Sequence, residues 1–183
     1  YTGYNVMDRI TISSTGNASD CGDLTVARLW LGACSNDTDD RGVWAGGRHY
    51  SGGSIYYNTM DYITISSGSG ATDFGDLTAT KSYLGATSNG TTDAGVFGGG
   101  ISITNVIETI TITSTGNASD HGDLTVARGS TGACSNKTSD RGVFAGGSSS
   151  NVMDYITISS GGIADDFGDL TRASYGMAGT SNS

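Results

Sequence analysis

The feature that most constrains this chain is that it says nearly the same thing four times. Residues 5–47 begin NVMDRITISSTGNASDCGDLTVAR, residues 105–147 begin NVIETITITSTGNASDHGDLTVAR, and residues 58–100 carry a looser version, NTMDYITISSGSGATDFGDLTATK. A fourth copy starts at Asn151 and runs to Ser183. Only the junctions vary: ten residues follow Gly47, four follow Gly100 and three follow Gly147. The units are 5–57, 58–104, 105–150 and an incomplete 151–183, so a complete unit has about 46–53 residues. Repetition this regular predicts one supersecondary unit stacked on copies of itself, with stability carried by contacts between neighbours.

Within a unit, isoleucine recurs at every second residue with Thr between: Ile10 and Ile12, Ile63 and Ile65, Ile110 and Ile112, Ile156 and Ile158. That is the period of a strand. A second strand is expected over the Gly-Val-aromatic runs 42–44, 95–97 and 142–144, each followed by paired glycines. Shorter apolar stretches around 24–28 and 31–35 are bounded by Gly, Asn, Asp and Ser, the residues of turns. No window repeats apolar residues at helical spacing for three turns. The expected fold is all-β, with units of three to four antiparallel strands set radially as in a β-propeller, a β-solenoid being the rival.

The order of Arg128, the Gly-Ala stretch 132–135, the polar turn 136–140, the strand 142–147 and Asn-Val-Met-Asp-Tyr-Ile-Thr-Ile at 151–158 resembles the Kelch repeat. The wording TGNASDxGDLTVAR, then GACSN and RGVFAGG, is similar to Kelch-like repeats in structural proteins of tailed bacteriophages, marine ones especially. The chain departs from typical Kelch blades in lacking proline and in carrying Cys21, Phe74, His121 and Phe167 where an aromatic pair is usual. The resemblance implies a Kelch-like β-propeller or part of one. In that phase residues 1–28 are the back half of a blade, three blades follow, and 173–183 begins another, so the chain reads as a piece of a longer protein.

Charge and composition exclude several classes. The net charge is −9 and the pI near 4.3, so no nucleic-acid partner held through phosphates is expected. No apolar run reaches about 18 residues, and no signal peptide is visible, so no membrane insertion is expected. Cys34 and Cys134 hold the same repeat position, and Cys21 stands where other copies have Phe. All three are expected to be reduced, and no C-x-x-C motif occurs.

Paired carboxylates recur as Asp20 and Asp23, Asp73 and Asp76, Asp120 and Asp123, and Asp166 and Asp169. Such pairs can do acid–base chemistry. A catalytic pair is needed once, however, whereas these appear in every unit, as turn residues do. Asp23 and Asp123 are expected to pair with Arg28 and Arg128. The turn 36–40 gathers Asp37, Asp39 and Asp40, oxygen ligands enough to raise calcium. The third copy has Lys137 and Ser139 instead of Asp37 and Asp39, which favours a plain hairpin turn. The only two histidines, His49 and His121, form no catalytic constellation, and no cofactor motif is present.

The chain breaks its own symmetry at 48–57, RHYSGGSIYY. His49, Tyr50, Tyr56 and Tyr57, with Trp44 just before them, are the candidate ligand-binding residues, because aromatics on a loop suit sugar faces or protein contact. The resulting expectation is a non-enzymatic structural and adhesion module of a phage particle, in a tail fibre, baseplate or capsid appendage. It would be made in the host cytoplasm and carried on the virion. Its partners would be a host surface glycan, a neighbouring virion protein or further copies of itself. The alternatives are a secreted bacterial adhesion propeller and a carbohydrate-active enzyme of the galactose-oxidase type.

Overall fold

Alternating Ile-Thr and Gly-Val-aromatic segments all become strands. The computed structural model describes residues 3–36, 40–90, 92–101, 104–136 and 139–180, and among them no helix occurs. The strands are β1 (Tyr4–Arg9), β2 (Ser19–Arg28), β3 (Gly32–Ser35), β4 (Arg41–Ala45), β5 (Arg48–Tyr50), β6 (Ser54–Tyr56), β7 (Thr59–Thr64), β8 (Thr72–Asp76), β9 (Gly85–Ser88), β10 (Ala94–Gly98), β11 (Val106–Thr111), β12 (Ser119–Asp123), β13 (Gly132–Asn136), β14 (Arg141–Ala145), β15 (Ser150–Thr157) and β16 (Asp165–Ser174). They form a two-stranded first sheet, β1-β2, followed by three four-stranded antiparallel meanders: β3-β4-β7-β8, β9-β10-β11-β12 and β13-β14-β15-β16. The hairpin β5-β6 stands apart from the second sheet. Each four-stranded sheet therefore takes its first two strands from the end of one sequence copy and its last two from the start of the next.

One apolar layer lies between each pair of successive sheets, built from the same repeat positions. Between the first and second sheets it holds Met7, Cys21, Leu24 and Ile63, with Trp44 and Ala71 against them. Between the second and third it holds Met60, Phe74, Leu77, Phe97, Ile110, Ile112 and Ala118. Between the third and fourth it holds Ile107, Leu124, Phe144, Ile156, Ile158 and Ala164. Ile10 and Ile12 occupy the positions of Ile63 and Ile65 and its counterparts but have no sheet before them among the described residues, and they are exposed. The strand alternation thus decides which residues face the preceding sheet, and burial of Phe97 and Phe144 (both fully buried) contributes about 2–3 kcal/mol each.

Backbone bonds fix the spacing of the stack. The Asp23, Asp76 and Asp123 carbonyls accept the N–H groups of Ala71, Ala118 and Ala164 at 2.8, 2.9 and 2.8 Å. The close approach depends on glycine at a bulge. Gly75 and Gly122 have φ of 138° and 140°, and a Cβ on either would run into the next sheet's Gly116 or Gly162 carbonyl. Here the recurring carboxylates find their use. Asp20, Asp120 and Asp166 accept the N–H of Gly22, Gly122 and Gly168 at 2.7, 3.1 and 3.0 Å, which holds the bulge. The edge strands β3, β9 and β13 lie side by side and, with Gly179 and Thr180, line a cavity of ≈ 490 Å³.

Buried charge pairs cross each interface. Arg28 meets Asp61 at 2.6 Å, Lys81 meets Glu108 at 2.8 Å and Arg128 meets Asp154 at 2.7 Å. Asp61, Glu108 and Asp154 are fully buried. Each also accepts a hydroxyl from the preceding sheet, Thr25, Thr78 and Thr125 respectively. Asp23 and Asp123, the expected partners of Arg28 and Arg128, are not the ones used. The reason is direction: Arg28 at the end of β2, and Lys81 and Arg128 in the connectors that follow β8 and β12, reach forward to an acid on the next sheet. Burial pushes the Arg28 guanidinium below its ordinary range, opposed chiefly by Asp61.

Candidate functional site

The long junction folds as a hairpin, with Arg48 opposite Tyr56, His49 opposite Ile55 and Tyr50 opposite Ser54. Its base is tied down by Tyr57, whose N–H donates to the Gly47 carbonyl at 2.9 Å and whose carbonyl accepts from the Lys81 N–H at 3.0 Å. Strand alternation puts Arg48, Tyr50 and Tyr56 on one face and His49 and Ile55 on the other. Tyr50 is 51% exposed. His49 turns back, its Cδ2 lying beside Gly3.

On the first of these faces a cation and two aromatic rings stack. The Arg48 guanidinium sits 4.1 Å from the Trp30 ring centre, and Trp30 stacks on Tyr83 with centroids 4.4 Å apart and planes 20° from parallel. Trp30 and Tyr83 hold the same position in successive connectors between sheets, each in the left-handed region at φ 58° and 61°. The connectors are joined by a ladder: Tyr83 N–H donates to the Trp30 carbonyl and Ser130 N–H to the Tyr83 carbonyl, both at 2.8 Å. Beside Tyr83 lies a cavity of ≈ 450 Å³ whose wall includes Ser130, Ser148 and the exposed Tyr175. A guanidinium on an indole that stacks on a phenol presents donors and flat apolar faces together, the chemistry that holds a sugar ring or a protein loop.

Of the residues expected at the site, Tyr50 and Tyr56 share the face of this stack, Tyr57 anchors the hairpin, and His49 is on the opposite face. Trp44 is elsewhere: it packs in the layer between the first and second sheets and lines the cavity beside Met7, Arg9 and Cys34. It stands where Phe97 and Phe144 stand, so it is a packing ring. Arg48 and Tyr83 were not among the expected residues. The signal for Tyr83 was its place in the repeat, equivalent to Trp30 and replaced by Ser130 in the third copy.

Asp37 and Asp39 lie outside the described residues. Asp40, with φ 51°, braces its own sheet: its carboxylate accepts the Ser66 N–H at 3.0 Å and the Ser66 hydroxyl. Asp93 and Asp140 do the same for Thr113 and Ser159. They also accept the amides of Asn36 (2.6 Å) and Asn89 from the preceding sheet. Among the described residues no three His, Cys, Asp or Glu side chains are grouped as metal ligands. The three cysteines are free, and burial pushes the Cys34 thiol up to about 12.

The acids that matter most to the stack, Asp61, Glu108 and Asp154, are the acidic residue of the recurring Asn-x-Met-Asp-Tyr stretch and its NVIET counterpart, which by itself names no partner. Their signal was covariation across a unit boundary. Arg28 and Arg128 are followed by the shorter Asp61 and Asp154, whereas the shorter-reaching Lys81 is followed by the longer Glu108. No family model matches the chain, and no curated protein matches it.

Proposed function

We propose that the protein is a non-enzymatic structural and adhesion module of a phage particle, a Kelch-like β-propeller or part of one, that binds a host surface glycan through the face bearing the hairpin. The observation that carries this reading is the stack of Arg48, Trp30 and Tyr83 beside Tyr50 and Tyr56. It is built on the longest departure from the repeat. The polar residues that recur in every unit are, by contrast, taken up in bulges, turns and buried ion pairs. Side-by-side edge strands β3, β9 and β13 support a radial arrangement. Assembly on a particle would multiply a weak sugar contact through effective concentration.

The test is a glycan array and whole-cell binding assay with the wild-type chain and the Tyr50→Ala/Tyr56→Ala variant. Saturable binding to an envelope sugar that the variant loses is the expected result. Binding retained in the folded variant removes the hairpin from the site. Binding to assembled particles with no sugar retained makes a neighbouring virion protein the partner instead.

A further inference from the structure

The interface between the third and fourth sheets is hollow beside the β11–β12 and β15–β16 turns, and three substitutions hollow it. In the second sheet Arg41 lies over the Tyr62 ring at 4.3 Å and Tyr62 meets Phe74 edge-on at 6.0 Å. The fourth sheet repeats the arrangement with Arg141, Tyr155 and Phe167, at 4.2 and 6.1 Å. In the third sheet all three positions change together, to Ala94, Thr109 and His121. Those three residues line a cavity of ≈ 440 Å³, within the size range of small-molecule sites. Arg41 also donates to the Ile112 carbonyl at 2.9 Å, and Arg9 serves Ser66 likewise at 3.2 Å. Ala94 offers the fourth sheet no such donor.

His121 makes the cavity more than a packing defect. It is 7% exposed, and its Nε2 has no hydrogen-bond partner, a state that costs stability unless something else satisfies it. The remaining wall carries hydroxyls, including Ser119, Ser160 and Ser159, the last already donating to Asp140. Asn117 has its Oδ1 committed to the Asp76 N–H at 3.0 Å, leaving its amide nitrogen to donate. Asp120 uses one oxygen for Gly122, leaving the other to accept.

We propose that this cavity, framed by Thr109, Asn117, Asp120, His121, Ser159 and Ser160, is a binding site for a small neutral polyhydroxyl ligand of monosaccharide size. Alternating donors and acceptors suit sugar hydroxyls. The Asp120 carboxylate and the chain's net charge of −9 oppose an anion, and a single carboxylate is too few for a cation. The site lies among the β11–β12 and β15–β16 turns, at the opposite strand ends from the hairpin, and does not depend on the function proposed above.

The experiment is an NMR titration of the isotope-labelled chain with glucose, galactose, mannose, N-acetylglucosamine and glycerol, following the His121 imidazole. The comparison chain is Ala94→Arg/Thr109→Tyr/His121→Phe, which copies the neighbouring sheets, and Thr109→Tyr alone serves if the triple variant fails to fold. A saturable His121 shift with at least one sugar, weakened roughly tenfold or more in the refilled chain, is expected. Loss of glycan-array binding in the Tyr50→Ala/Tyr56→Ala chain with the sugar-induced His121 shift retained supports this site as separate from the hairpin. No saturable shift with any sugar, or equal binding in the refilled chain, overturns it.

Discussion

The interface between the second and third sheets and that between the third and fourth share their backbone bonds, their ion pair and most of their apolar residues. Apart from the residues of that pair, Lys81–Glu108 in one and Arg128–Asp154 in the other, they differ most at one trio of positions, Arg41, Tyr62 and Phe74 against Ala94, Thr109 and His121. The first trio fills its interface and the second opens a cavity. The difference teaches that the stack is held by what recurs, so positions outside that set are free to specialise one interface without unmaking it.

The largest effects should fall equally on both interfaces. Glu108→Ala strands Lys81, and Asp154→Ala strands Arg128, each a buried cation without its counter-ion; each is expected to cost about 3–5 kcal/mol, read by denaturant unfolding. A cost below 1 kcal/mol at either would show that the pair is not what couples those sheets. Next comes transplantation of the hollow: Arg41→Ala/Tyr62→Thr/Phe74→His should cost about 2–5 kcal/mol through lost packing. The reverse change, refilling the third sheet, should be neutral or stabilising. Equal costs in both directions would mean that the two interfaces pack by different rules.

A smaller effect tests the matching of length. Glu108→Asp and Lys81→Arg should each destabilise alone, and the double variant, which copies Arg28 and Asp61, should recover part of the loss, with a coupling of about 0.5–3 kcal/mol in a double-mutant cycle. Additive losses would contradict the covariation reading.

The smallest effect is the pH response of the hollow interface. Burial holds the His121 imidazole below its ordinary 6.5, against the opposing pull of the Thr157 backbone, Asp120 and Asp140. The unfolded chain therefore takes up the proton first as pH falls. The stability contribution is complete above about 6.5 and declines below it until the folded pKa is passed. His121→Phe should flatten that part of the profile, and an unchanged profile would mean that His121 titrates as an exposed ring does.

Much of the fold was legible because strand period and repeat length are local signals. Ile63, Ile110 and Ile156 turned toward the preceding sheet in keeping with their alternation with Thr, whereas the recurring Asp residues read as turn formers lie within strands, where Asp20, Asp120 and Asp166 hold a bulge. What was not legible were relations between units. Arg28 was expected beside Asp23, a neighbour in sequence, but Asp61 lies across an interface that no local pattern announces. Trp44 adjoins the hairpin in sequence, yet strand alternation turns it into an apolar layer. Tyr83, distant in sequence, completes the stack because the inter-sheet connectors are laddered together.

The account's central claim is that recurring residues hold the stack while departures from the repeat carry function. The most direct test replaces 48–57 with the short junction ISIT of 101–104. Thr104 accepts the Arg128 N–H as Tyr57 accepts the Lys81 N–H, at 3.3 and 3.0 Å, so the two junctions end on the same backbone bond. Unfolding stability and glycan-array binding are measured on the same preparation. The account predicts stability within about 1 kcal/mol of wild type, as expected for a change away from the core, with glycan binding lost. A chain that loses its stability yet keeps its sugar would contradict it, making the hairpin a structural brace and moving recognition elsewhere.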